Sequence, residues 1–260
     1  MAWIDLRGIR LWYEESGAGA PLLLLHGLGS SGADWALQTP PFAACHRVIT
    51  PDLRGHGQTP LAGRSVTIAQ MAADVVELLD RLDARPAHVL GLSMGGCVAL
   101  NLALDRPAYV RSLILVNTGA ALRLSKWRYL RGMQRIVAIL AGGSSAMARV
   151  VAQGLFPDPD QASLRQEAIS RLSRADRWSY LAAVIAILRF DVRPRLAEIH
   201  CPTLVIAGAE DSTVGPQPPR FLAEHIPSAR LAVIPNSRHV TPADQPEGFN
   251  RTVLDFLGET

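Results

Sequence analysis

Short apolar runs that read as β-strands alternate with segments of helical periodicity along most of this chain, and nothing else in it restricts the fold as tightly. Residues 4–6 and 9–13 flank Arg7-Gly8 and predict an N-terminal hairpin. Pro21-Leu22-Leu23-Leu24-Leu25 predicts a buried strand that ends in the turn His26-Gly27-Leu28-Gly29. Arg47-Val48-Ile49-Thr50 predicts a second, stopped by Pro51 and the loop Asp52-Leu53-Arg54-Gly55-His56-Gly57. Residues 67–82 carry Met71, Val75, Leu78, Leu79 and Leu82 at helical spacing. His88-Val89-Leu90 leads into Gly91 and a helix from 93 to about 105, and Ser112-Leu113-Ile114-Leu115-Val116 is the next strand. Such alternation implies a mostly parallel sheet flanked by helices on both faces.

The alternation stops between about 120 and 188. Helical patterns there are broken at Gly142-Gly143, Pro157-Asp158-Pro159 and Arg174-Ala175-Asp176, with no strand between them. It resumes at Thr203-Leu204-Val205-Ile206-Ala207 and Leu231-Ala232-Val233-Ile234, and ends in a helix through Phe249 and Leu254. The expected organisation is an α/β core of residues 1–118 and 196–260, interrupted by a helical insertion over 119–195.

Composition narrows the function classes. With 48% hydrophobic and 19% charged residues, the 260-residue chain is neither disordered nor fibrous, and it is long enough to bury one sizeable core. The apolar run that stands out, Leu22-Leu23-Leu24-Leu25, is far too short to span a bilayer. The N-terminus has no basic segment followed by an apolar one, so no secretory signal is read there. Cys45, Cys97 and Cys201 have neither metal-ligand nor redox spacing, so the expectation is a cytoplasmic protein with no metal. Charge is uneven: residues 118–195 hold 13 Arg/Lys against 5 Asp/Glu. The insertion is therefore basic and the frame around it mildly acidic. That excess either attracts an anionic substrate or partner, or is a solvated helical surface. No recognition motif accompanies it, so nucleic-acid binding is not expected.

Gly91-Leu92-Ser93-Met94-Gly95 fits the G-x-S-x-G pattern in which a serine sits on a sharp strand-to-helix turn. Glycine is needed two positions either side, because larger side chains would collide with the neighbouring strand and helix. The helix that follows points its positive end at the reacting centre. A serine hydroxyl needs a base to take its proton. Of seven histidines, His239 is the one in a loop after the last strand, at the strand edge that carries Ser93. Asp211, at the end of the penultimate strand, is on the same edge and suits the role of orienting the imidazole. Asn117 lacks the charge for that role, and the neighbouring Glu210 should point elsewhere. Two backbone amides, of Met94 and of Leu28, are the expected donors to a developing oxyanion. His26 reads as a structural hydrogen-bonding residue.

On these residues, with Gly96 beside the serine turn and Gly208-Ala209-Glu210-Asp211, the chain resembles the α/β-hydrolases over essentially its whole length. The resemblance implies the α/β-hydrolase fold with an inserted helical cap above the sheet. Serine at the nucleophile position sets it apart from the aspartate-nucleophile haloalkane dehalogenases and epoxide hydrolases. It is most similar to small esterases and lactonases, including 3-oxoadipate enol-lactonases, which often show Gly-Leu-Ser-Met-Gly-Gly like residues 91–96 here. A second similarity is to pimeloyl carrier-protein methyl ester esterases, whose caps are basic. One departure is Arg238, where a small residue is usual before the histidine. Such a cation lowers the histidine pKa, binds an acidic group or points to solvent.

The expected pocket lies between serine turn and cap, with Trp35, Met94, Trp127, Trp178 and Val240 as candidate lining. For the cap tryptophans, helix-to-helix packing is the competing reading. Arg123, Arg128, Arg131 and Arg135 share one broad helical face that would suit a carboxylate-bearing substrate or an acidic carrier protein. The expected activity is cofactor-free hydrolysis of a carboxylic ester, with a lactone or anionic ester as the alternative substrate; carbon–carbon bond hydrolysis and perhydrolysis use similar machinery and stay open. A non-catalytic ligand receptor on the same fold is the competing class.

Overall fold

The computed structural model describes the backbone of residues 1–121 and 126–260, with all side chains there except those of 126–132 and 135. Among these residues eight strands form one sheet. The N-terminal hairpin, β1 (Ala2–Leu6) and β2 (Ile9–Ser16), is antiparallel and forms one edge. The remaining strands are β3 (Ala20–Leu25), β4 (His46–Pro51), β5 (Ala87–Leu92), β6 (Val110–Val116), β7 (Thr203–Gly208) and β8 (Ala229–Ile234). These six run parallel to one another, in the overall order β1-β2-β4-β3-β5-β6-β7-β8. The chain leaves β3 toward β4 on one side and leaves β5 toward β6 on the other. The carboxyl ends of β3 and β5 therefore bound the crevice where open α/β sheets hold their ligands.

The four leucines of β3 show how the strands make two cores. Side chains alternate across a strand, so Leu22 and Leu24 enter a cluster with Trp35, Phe42, Phe249 and Phe256. Leu23 and Leu25 face the other way, into the larger cluster with Met71, Val75, Val98 and Leu102. Both faces are covered, which is why the central strands read as unbroken apolar runs. Each such leucine adds about 1.5–3 kcal/mol by leaving water.

Helices α1 (Thr39–Ala43), α2 (Ile68–Arg81) and α3 (Met94–Asp105) follow β3, β4 and β5 in turn. Thr67 caps α2 by accepting the Gln70 amide at 3.0 Å. Helix α3 has buried residues all round, as a helix packed between the sheet and α2 must. Among the described residues, three α-helices lie between β6 and β7: α4 (Lys126–Leu155), α5 (Ala162–Leu172) and α6 (Arg177–Arg189). Their breaks fall where the sequence puts them. Gly143 leaves helical geometry at φ 66°, a short 3-10 turn spans Pro159–Gln161, and Asp176 caps α6. By length and composition the stretch Ile136–Leu155 of α4 would suit a bilayer, unlike the short leucine run of β3. Here it is kinked at Gly143, and Ile139, Met147, Ala148 and Val151 pack against Leu172 and Tyr180 in a small cluster of the insertion. An isolated bridge between Ala121 and Asp191 joins the ends of the insertion. The last helices are α7 (Gln217–His225), α8 (Thr241–Asp244) and α9 (Pro246–Gly258).

Candidate active site

Ser93 stands between β5 and α3 with φ 54° and ψ −110°, a conformation that a residue with a side chain rarely adopts. Close packing on both sides holds it there. A Cβ on Gly91 would lie 2.3 Å from the Gly95 carbonyl oxygen, and one on Gly95 would lie 2.2 Å from that of Leu25. Only glycine lets strand, turn and helix approach this closely. The Ser93 amide donates to the Val116 carbonyl at 2.9 Å, and its own carbonyl accepts the Thr118 hydroxyl at 2.7 Å.

The two other residues expected beside it come from distant loops. The Ser93 Oγ lies 3.1 Å from His239 Nε2, and His239 Nδ1 lies 3.0 Å from Asp211 Oδ2. With the Nδ1 proton donated to Asp211, Nε2 is left to accept from the serine hydroxyl. The second Asp211 oxygen accepts the amides of Thr213 and Val214 at 2.7 and 3.1 Å. Burial alone would raise the Asp211 carboxyl. The His239 charge and hydrogen bond, with the two amides, outweigh it and hold the carboxyl below its ordinary range.

The turn after β3 lies against the serine: a Cβ on Gly27 would be 3.7 Å from that of Ser93. His26 shapes this turn. Its Nδ1 donates to the Gly27 carbonyl at 2.8 Å, and its Nε2 accepts the Leu53 amide at 3.0 Å. Full burial depresses its pKa to about 4, partly offset by the Gly27 bond, so the ring stays neutral. Among the described residues, neither the Leu28 nor the Met94 amide has a protein acceptor. The loop after β4 is fixed by a buried ion pair, Arg54 to Asp74, at 2.6 and 2.7 Å.

The family model described as the alpha/beta hydrolase fold matches residues 20–246, from β3 to the start of α9. The chain belongs to the α/β-hydrolase family. A protein of Azorhizobium caulinodans named RutD carbamate hydrolase is 36% identical over 96% of this chain and 95% of its own length. A 3-oxoadipate enol-lactonase of Acinetobacter baylyi is 31% identical over 92% of this chain and 89% of that one. Among solved structures, the enol-lactonase of Burkholderia xenovorans superposes with a TM-score of 0.91 at 27% identity, covering 99% of this chain and all of its own.

Within this α/β-hydrolase the expected pocket residues need correction. Trp35 is fully buried on the far side of β3, packed with Phe42 and Phe249, because the chain dives under the sheet after the Gly29 turn. Trp178 is 58% exposed and lies against the Arg177 guanidinium, since its side of α6 faces solvent. Met94 is buried in the larger core, and Val240 is half-buried against the Trp35 cluster. The side chains of Trp127, Arg128, Arg131 and Arg135, and the whole of Arg123, lie outside the described residues. The insertion meets the turn after β3 through Leu172 and Tyr180, each 3.0 Å from a Cβ placed on Gly29.

Arg238 neither touches the imidazole nor points to solvent. Its guanidinium reaches Asp158 of the insertion at 2.9 and 3.0 Å and Glu210 at 3.3 Å. Asn117, set aside as a triad member, has a different part. Buried and at φ 44°, it donates to the carbonyls of His239 and Arg238 at 2.8 and 3.2 Å and to Thr241 Oγ1 at 2.7 Å. It also accepts the Gly208 amide at 2.8 Å, so it ties the ends of β6 and β7 to the histidine loop. An asparagine at the end of an apolar strand is the sequence signal for it, though not for its partners.

Proposed function

We propose that this protein hydrolyses a carboxylic ester through an acyl-enzyme on Ser93. The observation that carries the reading is the unbroken line from Ser93 through His239 to Asp211, set on a strained turn, with the Leu28 and Met94 amides free of protein acceptors among the described residues. As Ser93 Oγ bonds to the substrate carbonyl carbon, its proton passes to His239 Nε2. The negative charge that develops on the carbonyl oxygen is met by the Leu28 and Met94 amides, each donor of this kind being worth about 100- to 1000-fold in rate. Asp211 stabilises the imidazolium. The tetrahedral species collapses, the C–O bond breaks, and His239 returns the proton to the leaving alkoxide. A water then attacks the acyl-enzyme, giving its proton to His239 Nε2, which passes it to Ser93 as the acid departs. No step calls for a metal or cofactor.

The enol-lactonase and carbamate-hydrolase names of the relatives fit this scheme, because both bonds join a heteroatom to an acyl carbon. They favour esters, lactones and carbamates over carbon–carbon cleavage. Two cations that join the insertion to the core are already engaged: Arg238 by Asp158 and Glu210, and Arg171 by Asp34 and Glu167. That supports a neutral ester over an anionic one held by either of these two cations.

The test compares kcat/KM for a short neutral aryl ester with the same ester bearing a terminal carboxylate, with Ser93→Ala as blank. Preference for the neutral ester, abolished in the variant, is the expected result. A preference for the carboxylate that fades with salt would move the substrate to the anionic class. Turnover of neither, or release of one equivalent only, would leave a ligand receptor as the better reading.

A further inference from the structure

The insertion grips the core on the oxyanion side of the site. Leu172 and Tyr180 press on the Gly29 turn, Ser179 on Gly55, and Arg171 meets Asp34 at 2.8 Å. On the histidine side the link is of another kind, and it is built from both ends. Asp158 sits between two prolines in the turn joining α4 and α5. Arg165 stiffens that turn by donating to the carbonyls of Phe156 and Asp158 at 2.7 and 3.2 Å. At the other end, the Arg238 amide is held by Asp244 at 2.6 Å and its carbonyl by Asn117 at 3.2 Å. Between these fixed ends the guanidinium sends Nε and Nη2 to one oxygen of Asp158. Glu210, next to the triad aspartate, takes the remaining contact at 3.3 Å.

We infer that Arg238 is a positioning residue that holds the insertion closed over the histidine side of the site, through Asp158. The histidine loop does not depend on it, because Asn117, Asp211 and Asp244 hold that loop from the core. Loss of the guanidinium therefore releases the cap turn and leaves the reacting groups in place. The expected signature is weaker substrate binding with intact chemistry. Lysine is a poor replacement, since a point charge cannot reach Asp158 and Glu210 with the same planar fork. Two carboxylates already share this one cation, so a substrate carboxylate would have to dislodge Asp158 to use it.

The inference rests on the ester-hydrolase reading, and the test separates the two. Steady-state kinetics on a neutral aryl ester are measured for Arg238→Gln, Asp158→Asn and the double variant, with Arg149→Gln, an exposed cation of α4, as charge control. Amide hydrogen exchange over residues 156–161 is measured on the same proteins without substrate. The expected result is KM raised by about three- to tenfold with kcat within about twofold in Arg238→Gln. Asp158→Asn should follow it, the double variant should be no worse than Arg238→Gln alone, and exchange in 156–161 should quicken in all three. A fall in kcat at unchanged KM, additive single effects, or unchanged exchange would overturn the inference. Persistent turnover in Ser93→Ala would instead overturn the ester-hydrolase reading, while the exchange data still decide the role of Arg238.

Discussion

Asn117→Ala should disable the protein without removing any group that reacts. The side chain is fully buried and makes four contacts, and two of them end on buried backbone groups, the Gly208 amide and the His239 carbonyl. Leaving a buried polar group unpaired costs about 1–3 kcal/mol. The left-handed backbone at φ 44° adds about 1 kcal/mol against alanine, because asparagine tolerates it better. Together these predict a loss of roughly 3–7 kcal/mol in urea unfolding, with the denaturant slope unchanged. The histidine loop would also lose its tie to β6, and a displacement near 1 Å lowers kcat by about 100-fold. Asn117→Asp sharpens the test: it keeps an acceptor for Gly208 but sets a carboxylate against the His239 carbonyl. It should lose activity more than stability. A kcat within about threefold of the parent, with a stability change under about 1 kcal/mol, would refute the idea that Asn117 fixes the histidine loop.

Three further outcomes follow from the same contacts. Asp74→Ala strands the Arg54 guanidinium in the core and should lower stability by about 3–5 kcal/mol, whereas Arg54→Met with Asp74→Leu should recover most of it; equal losses in single and double variants would contradict this. His26 has a folded-state pKa of about 4 against an ordinary 6.5, so the folded protein binds fewer protons than the unfolded chain in between. Its contribution, about 3 kcal/mol, is complete above pH 6.5 and lost as pH falls toward 4, and an NMR titration showing the ring charging near 6.5 would contradict it. Trp178→Ser should change stability by no more than about 0.5 kcal/mol and leave KM alone, because the ring stands in solvent; a rise in KM would return it to the pocket.

The strands were legible because a sheet covered on both faces needs apolar runs, and Leu22 to Leu25 can be little else. Ser93, Asp211 and His239 were legible for a topological reason. Each lies just past the carboxyl end of a strand, so parallel order brings them to one edge before any contact is known. What the sequence hides is where a side chain points when its neighbours are remote. Asn117 meets a carbonyl 122 positions away, and the Asp158 that engages Arg238 lies 80 positions away. The tryptophans failed for a related reason. Trp35 follows the turn after β3 in sequence, but a single 3-10 turn carries it beneath the sheet. Trp178 lies on a helix that is apolar on nearly every side, so its periodicity does not say which face is covered.

The central claim is that Ser93 becomes covalently acylated during turnover. The most direct measurement is mass spectrometry of the protein quenched with acid in the first milliseconds of reaction with an aryl ester, followed by peptide mapping. One acyl group per chain is expected on the peptide bearing Ser93, formed no more slowly than product appears and absent in Ser93→Ala and His239→Ala. An acyl group on another residue, or turnover that proceeds with Ser93 unmodified and survives Ser93→Ala, would contradict it.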